Sequence, residues 1–150
     1  MGVAAPAQPT ALSAFHRSGQ TFVTWAERGD LAGERYRIYR SGAPITAGSL
    51  GDATLLGEVG EGSALFFANR YEDYETPSQW HVRYRERYVV EDLGPELAAG
   101  TGLFVWTTGA ADLPGPAYYA VTTVLDEAEN TADFTAGNTT GPLAEAVDRP

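Results

Sequence analysis

A chain of 150 residues, 43% of them apolar, is the size of one domain and carries enough apolar surface to fold around its own core. A net charge of −10 and a pI near 4.5 argue against a nucleic-acid footprint, which must be basic, and against docking on an anionic membrane. There is no cysteine, which removes disulfide and thiolate chemistry, and no apolar run is long enough for a membrane-spanning helix.

Residues 1–9 are rich in Ala and Pro and read as a flexible leading segment. The stretch Met1 to Pro9 lacks the basic start and apolar run of an intact signal peptide. Thr10 to His16 reads as an edge strand, with Arg17-Ser18-Gly19 turning the chain into Gln20-Thr21-Phe22-Val23-Thr24-Trp25. A polar, Gly-containing turn from Glu27 to Glu34 leads to a further strand, Tyr36-Arg37-Ile38-Tyr39-Arg40. Successive strand side chains alternate between faces, so Thr21, Val23 and Trp25 share one face and Tyr36, Ile38 and Arg40 another.

Ser41 to Pro44 breaks that strand, and Ile45 to Leu50 reads as one short helical turn. Strands follow at Ala53–Val59, Thr101–Thr107 and Ala117–Val124, the last β-branched and aromatic almost throughout. Asp126 to Asn130 reads as a hairpin loop and Thr131 to Thr139 as the returning strand, with Phe134 its one large apolar residue. The end of the chain, residues 141–150, is small, acidic and Pro-ended and reads as a linker-like tail. The expected core is Val23, Trp25, Tyr36, Ile38, Leu55, Leu103, Val105, Tyr119 and Val121.

Three of these pieces resemble a fibronectin type III domain of the immunoglobulin-like superfamily: Val23-Thr24-Trp25, Tyr36-Arg37-Ile38-Tyr39-Arg40, and Tyr119-Ala120-Val121-Thr122-Thr123. The resemblance covers residues 10–62 and 101–140. It implies an all-β antiparallel sandwich over residues 10–140, with residues 64–100 as an enlarged insertion. It also implies a role as a spacer, adhesion or accessory module, of the sort found beside catalytic domains in secreted bacterial enzymes.

Loops on a rigid scaffold tend to carry function, which directs attention to the insertion. In the run from Trp80 to Val90, Trp80, Val82, Tyr84, Tyr88 and Val90 share one face. His81, Arg83, Arg85 and Arg87 share the other. The structural reading pairs these arginines with Glu72, Asp73, Glu75, Glu91 and Asp92 on the solvent side of a sheet. The functional reading makes Trp80, His81, Arg83, Tyr84, Arg85 and Arg87 a surface for a sugar ring, a carboxylated polymer or an acidic partner.

No catalytic constellation stands out in the sequence: an acidic chain offers many carboxylate pairs for glycoside hydrolysis, and nothing singles out two. There is no G-x-S-x-G motif, and only two histidines, His16 and His81, could act as bases. Asp126, Glu127, Glu129 and Asn130 offer oxygens to calcium without the spacing of a calcium loop, so a solvated hairpin tip is the simpler reading. Gly57 to Gly62 is glycine-rich, but its two glutamates would repel phosphate. Asn138-Thr139-Thr140 is a glycosylation sequon.

The expectation is a secreted, non-catalytic accessory or spacer module that needs no cofactor or metal. Its partners would be a neighbouring domain, another protein or a polysaccharide, and neither a nucleic acid nor a membrane span. The alternative is a self-assembling adhesive subunit, a homo-oligomer formed through edge strands; a carbohydrate-binding module ranks behind both.

Overall fold

The computed structural model describes residues 5–64, 97–109 and 116–146. Its strands are β1 (Thr10–Arg17), β2 (Gln20–Ala26), β3 (Arg35–Ser41), β4 (Thr54–Gly60), β5 (Thr101–Thr107), β6 (Ala117–Leu125), β7 (Ala128–Glu129) and β8 (Thr139–Leu143). They form two antiparallel sheets. One is three-stranded in the order β1-β2-β5; the other is five-stranded, β4-β3-β6-β7, with β8 also pairing β6. The chain is an all-β sandwich, as the alternating segments predict, with no α-helix among the described residues.

The facing sides of the two sheets make the core. Val23, Trp25, Tyr36, Ile38, Ala117, Tyr119 and Val121 are buried there together with Leu12. The Trp25 and Tyr36 rings meet with centroids 5.6 Å apart. Trp25 can lie flat on β5 because Gly102 sits opposite it in register. A Cβ at position 102 would fall 2.2 Å from Trp25 Cε2, so only glycine fits.

The expected core changes on two strands, β5 and β4. The register Val23↔Phe104 and Thr21↔Trp106 turns Phe104 and Trp106 inward. Leu103 and Val105 therefore lie on the outer side of β5; Leu103 is still buried and Val105 is half-buried. In β4, Tyr39 pairs Leu55 and Ile38 pairs Gly57, so Leu56 is an extra residue at a bulge. Leu56 and Val59 pack on the core, and Leu55 is left 50% exposed.

A smaller apolar cluster lies on the opposite face of the five-stranded sheet. Tyr39, Ile45 and Ala120 are buried there under Leu50, Ala53, Tyr118 and Phe134. It fixes the 42–53 connection, whose 3₁₀ turn falls at Leu50–Asp52, later than the expected Ile45 to Leu50. It also accounts for Phe134, which is not in a strand. Asn130 Oδ1 accepts from the Ala132 and Asp133 amides, and Asp133 Oδ1 accepts from the Thr135 amide. Those side-chain turns compete with extended pairing, so the returning strand begins only at Thr139.

The strand directions define two ends of the sandwich. At the head pole, β1 begins and β6 ends; at the tail pole, β1 ends, β6 begins and β8 finishes.

Candidate functional site

Trp80, His81, Arg83, Tyr84, Arg85 and Arg87 lie outside the described residues. The polar clusters that the structure describes are at the two poles and on the outer face of the five-stranded sheet.

At the tail pole, Glu145 carries a carboxylate with no exposed side-chain surface. Arg40 donates to its Oε1 from Nε at 3.1 Å and from Nη2 at 2.5 Å. Thr21 Oγ1 donates to Oε2 at 2.5 Å, and the Tyr119 hydroxyl donates to the same oxygen. Trp106 Nε1 donates to the Tyr119 hydroxyl at 2.8 Å, and the Arg40 guanidinium lies 4.8 Å from the centre of the Trp106 ring. These partners come from β2, β3, β5 and β6, so one carboxylate joins both sheets.

His16 completes the cluster. The Ala146 amide donates to its Nε2 at 2.9 Å, and its Nδ1 lies 2.7 Å from Thr21 Oγ1. Because the Thr21 hydroxyl is already donating to Glu145, Nδ1 is the donor to Thr21 Oγ1, while Nε2 faces both the amide and, at 3.0 Å, the carbonyl oxygen of Ala146. The chain of donors then runs from His16 through Thr21 to Glu145.

Burial by itself would raise the pKa of Glu145. The hydrogen bonds from Thr21, Tyr119 and Arg40, with the Arg40 charge, outweigh burial and hold it below the ordinary carboxylate value. Burial, reinforced by the bond to Glu145, pushes Tyr119 up to about 12. The donors are matched to acceptors, and Thr21, the hydroxyl beside His16, is fully buried. The arrangement can hold strands together, but it offers no nucleophile to a substrate.

At the head pole, Gln8 does the corresponding work. Its Oε1 accepts from the Thr123 amide at 2.9 Å, and its Nε2 donates to the carbonyls of Asn130 at 2.7 Å and Asp133 at 2.8 Å. Asn130 Nδ2 returns a bond to the Pro6 carbonyl at 2.8 Å. Residues 5–9 are therefore docked, and the flexible reading of the leading segment does not hold for them. The linker reading of the tail likewise fails for residues 141–146, which supply part of β8 and the buried Glu145. Both readings rest on composition, and the two polar anchors, Gln8 and Glu145, each sit among small residues and prolines.

The stems of the insertion also meet at the head pole. The Gly62 amide donates to the Glu27 carboxylate at 2.9 Å, the Glu27 amide donates to the Gly100 carbonyl at 2.7 Å, and the Leu103 amide donates to Ser63 Oγ at 2.8 Å. Nearby, the Arg28 amide donates to the Tyr36 hydroxyl at 2.8 Å, which donates in turn to Glu34 at 2.6 Å. Glu34 is buried, and its Oε1 has no partner among the described residues. Burial, aided by repulsion from Glu34 and Glu61 and opposed by the Gly62 and Ser63 amides, raises the Glu27 pKa.

On the outer face of the five-stranded sheet, Arg37 bridges Glu58 at 2.8 Å and Glu129 at 2.7 Å, and Arg35 pairs Glu58 at 2.6 Å. Glu129 also accepts from Tyr39 at 2.5 Å and from Thr122 at 2.7 Å. Glu129 and Asn130 are thus engaged within the protein. Among the described residues no group of three His, Asp or Glu side chains could hold a metal ion. Asn138 of the sequon is fully buried and donates to the Val121 and Asp133 carbonyls, which closes it to a glycan in the folded chain.

Comparison with protein-family models, with curated proteins and with solved structures finds no match to this chain.

Proposed function

We propose that this chain is a non-catalytic accessory module that spaces and presents neighbouring parts of a larger secreted bacterial protein. One observation carries this reading: the chain comes in at the head pole, where Gln8 is held by Thr123, and goes out at the tail pole, where Glu145 is held by Tyr119. A domain with its two ends anchored at opposite poles holds its neighbours on either side apart. The polar groups of both anchors are buried in contacts between strands, as suits a spacer better than an active site.

The fibronectin type III reading is supported by the strand order, with β1-β2-β5 opposed to β4-β3-β6 and β8 beside β6. The stems of the insertion are pinned side by side by Glu27 and Ser63, a rigid base from which Trp80, His81, Arg83, Tyr84, Arg85 and Arg87 would be presented to a protein or polysaccharide partner. Small-angle scattering of two copies joined in tandem tests the spacer role: the pair should be about twice as long as one copy. A folded-back pair of nearly single length would reject it.

A second reading, a self-associating adhesive subunit, is favoured by β4. It ends its sheet among the described residues, contains neither Lys nor Pro, and leaves Leu55 half-exposed. Light scattering after size-exclusion chromatography separates the two: a 16.0 kDa monomer keeps the spacer reading, and a defined oligomer replaces it.

A further inference from the structure

We infer that Glu27 and Glu34 together bind one hard divalent cation, of the calcium class, at the head pole. The inference goes beyond the spacer reading and holds or fails apart from it. It starts from placement. β2 runs towards the head pole and β3 starts from it, on facing sheets, and their inward rings Trp25 and Tyr36 meet at 5.6 Å. Inward positions recur every second residue along a strand. Glu27 follows Trp25 by two and Glu34 precedes Tyr36 by two, so both carboxylates fall at the head-pole end of the core, one from each sheet.

Their charge is not met there. Glu34 is 2% exposed, and one of its oxygens is satisfied: Oε2 accepts from the Tyr36 hydroxyl at 2.6 Å. Oε1 is sealed from solvent with no donor among the described residues. The Tyr36 hydroxyl accepts in turn from the Arg28 amide at 2.8 Å, which ties Glu34 to the residue beside Glu27. Both Glu27 oxygens face the Gly62 amide, at 3.2 and 2.9 Å, while Glu34 and Glu61 repel that carboxylate. The hydroxyl and the amide bring no charge. The neighbouring arginines are engaged elsewhere, Arg28 with Asp30 at 3.0 and 2.8 Å and Arg35 with Glu58 at 2.6 Å. Paired like charges at a buried end of a core are destabilising without a positive counter-charge.

The burial of Glu34 shuts out a partner's side chain and leaves a small ion as the counter-charge. An all-oxygen donor set selects a hard cation. Two carboxylates, completed by water and backbone carbonyls, suit the flexible coordination of calcium better than the strict octahedron of magnesium. Glu27 also holds both stems of the insertion, Gly62 through its carboxylate and Gly100 through its amide. A cation on Glu27 therefore stiffens the base from which the insertion departs.

The test is thermal unfolding of the 150-residue chain in EDTA and in calcium chloride, with ionic strength matched by sodium chloride. With a Kd of about 0.1–1 mM, the range of calcium sites on extracellular modules, about 10 mM calcium should raise the Tm by roughly 3–10 °C. Titration calorimetry should find one calcium ion per chain. Glu34→Gln and Glu27→Gln should each abolish the calcium shift, and Glu34→Gln should melt in EDTA no lower than the parent. Glu58→Gln, which removes a carboxylate from the outer face, should keep the shift. A parent that neither binds calcium nor gains Tm from it overturns the inference. So does a shift that survives in either head-pole variant; should Glu34→Gln not fold, Glu27→Gln decides.

Discussion

Glu145 and Arg40 stand 105 positions apart in the chain, yet two guanidinium nitrogens of Arg40 converge on one oxygen of the Glu145 carboxylate. The pair takes a segment that looks like a linker and makes it part of the sandwich. A buried carboxylate is tolerated only when its charge and lone pairs are met, and here Thr21 and Tyr119 meet the other oxygen.

Gln8→Ala should destabilise the chain by about 1–3 kcal/mol, because the buried Thr123 amide loses its acceptor. Chemical denaturation measures this directly. Gln8→Glu should be no better tolerated, since a carboxylate cannot donate to the Asn130 and Asp133 carbonyls.

The β6–β7 turn places Asp126 at φ 51° and Glu127 at φ 70°, a left-handed pair that favours Asn and Gly. Changing Asp126→Asn and Glu127→Gly should raise stability by about 1 kcal/mol through relief of that strain. Thermal unfolding of the double variant checks it. The β1–β2 turn, Ser18 at φ 52° and Gly19 at φ 77°, already has glycine in the second position.

Acid should act on the two glutamates in opposite directions. The pKa of Glu145 is lowered in the fold, so its contribution is present above the ordinary value of 4.5 and is lost as pH falls through the lowered value. The pKa of Glu27 is raised, so the fold gains stability as pH falls through that raised value towards 4.5. Thermal unfolding from about pH 7.5 to about pH 3 should show Glu27→Gln flattening the upper part of the profile and Glu145→Gln the lower part.

Gly102→Ala should be strongly destabilising, since the new methyl would overlap the Trp25 indole. Overpacking of this kind typically costs about 1–3 kcal/mol and occasionally more. Gly51→Ala, where a Cβ meets nothing within 4 Å, is the control and should leave the melting temperature nearly unchanged.

The fold is legible in the sequence where one face of a strand is apolar and the other is not. Thr21, Val23 and Trp25 against Tyr36 and Ile38 come straight from alternation. In Leu103-Phe104-Val105-Trp106 every residue is apolar, so period two cannot choose a face; the cue is Gly102, which leaves room for Trp25. Leu55 and Leu56 are adjacent leucines, and only the bulge opposite Tyr39 decides between them. Glu145 and Gln8 carry no local signal at all. Each is a single polar side chain in a bland segment, and its partners lie on strands far away in sequence. The Asp133 and Asn130 turns could be suspected from residue type, and they explain why Phe134 is not in a strand.

The most direct measurement is a double-mutant cycle on Arg40 and Glu145 by urea denaturation. Glu145→Ala should cost about 3–5 kcal/mol, because it removes the carboxylate that offsets a largely buried Arg40 charge. Adding Arg40→Leu to Glu145→Ala should recover much of that loss, with Arg40→Leu alone closing the cycle. A Glu145→Ala variant within about 0.5 kcal/mol of the parent, the range of an ordinary surface substitution, would mean that the tail is the frayed linker its composition suggests, and that the sandwich is not anchored at its tail pole.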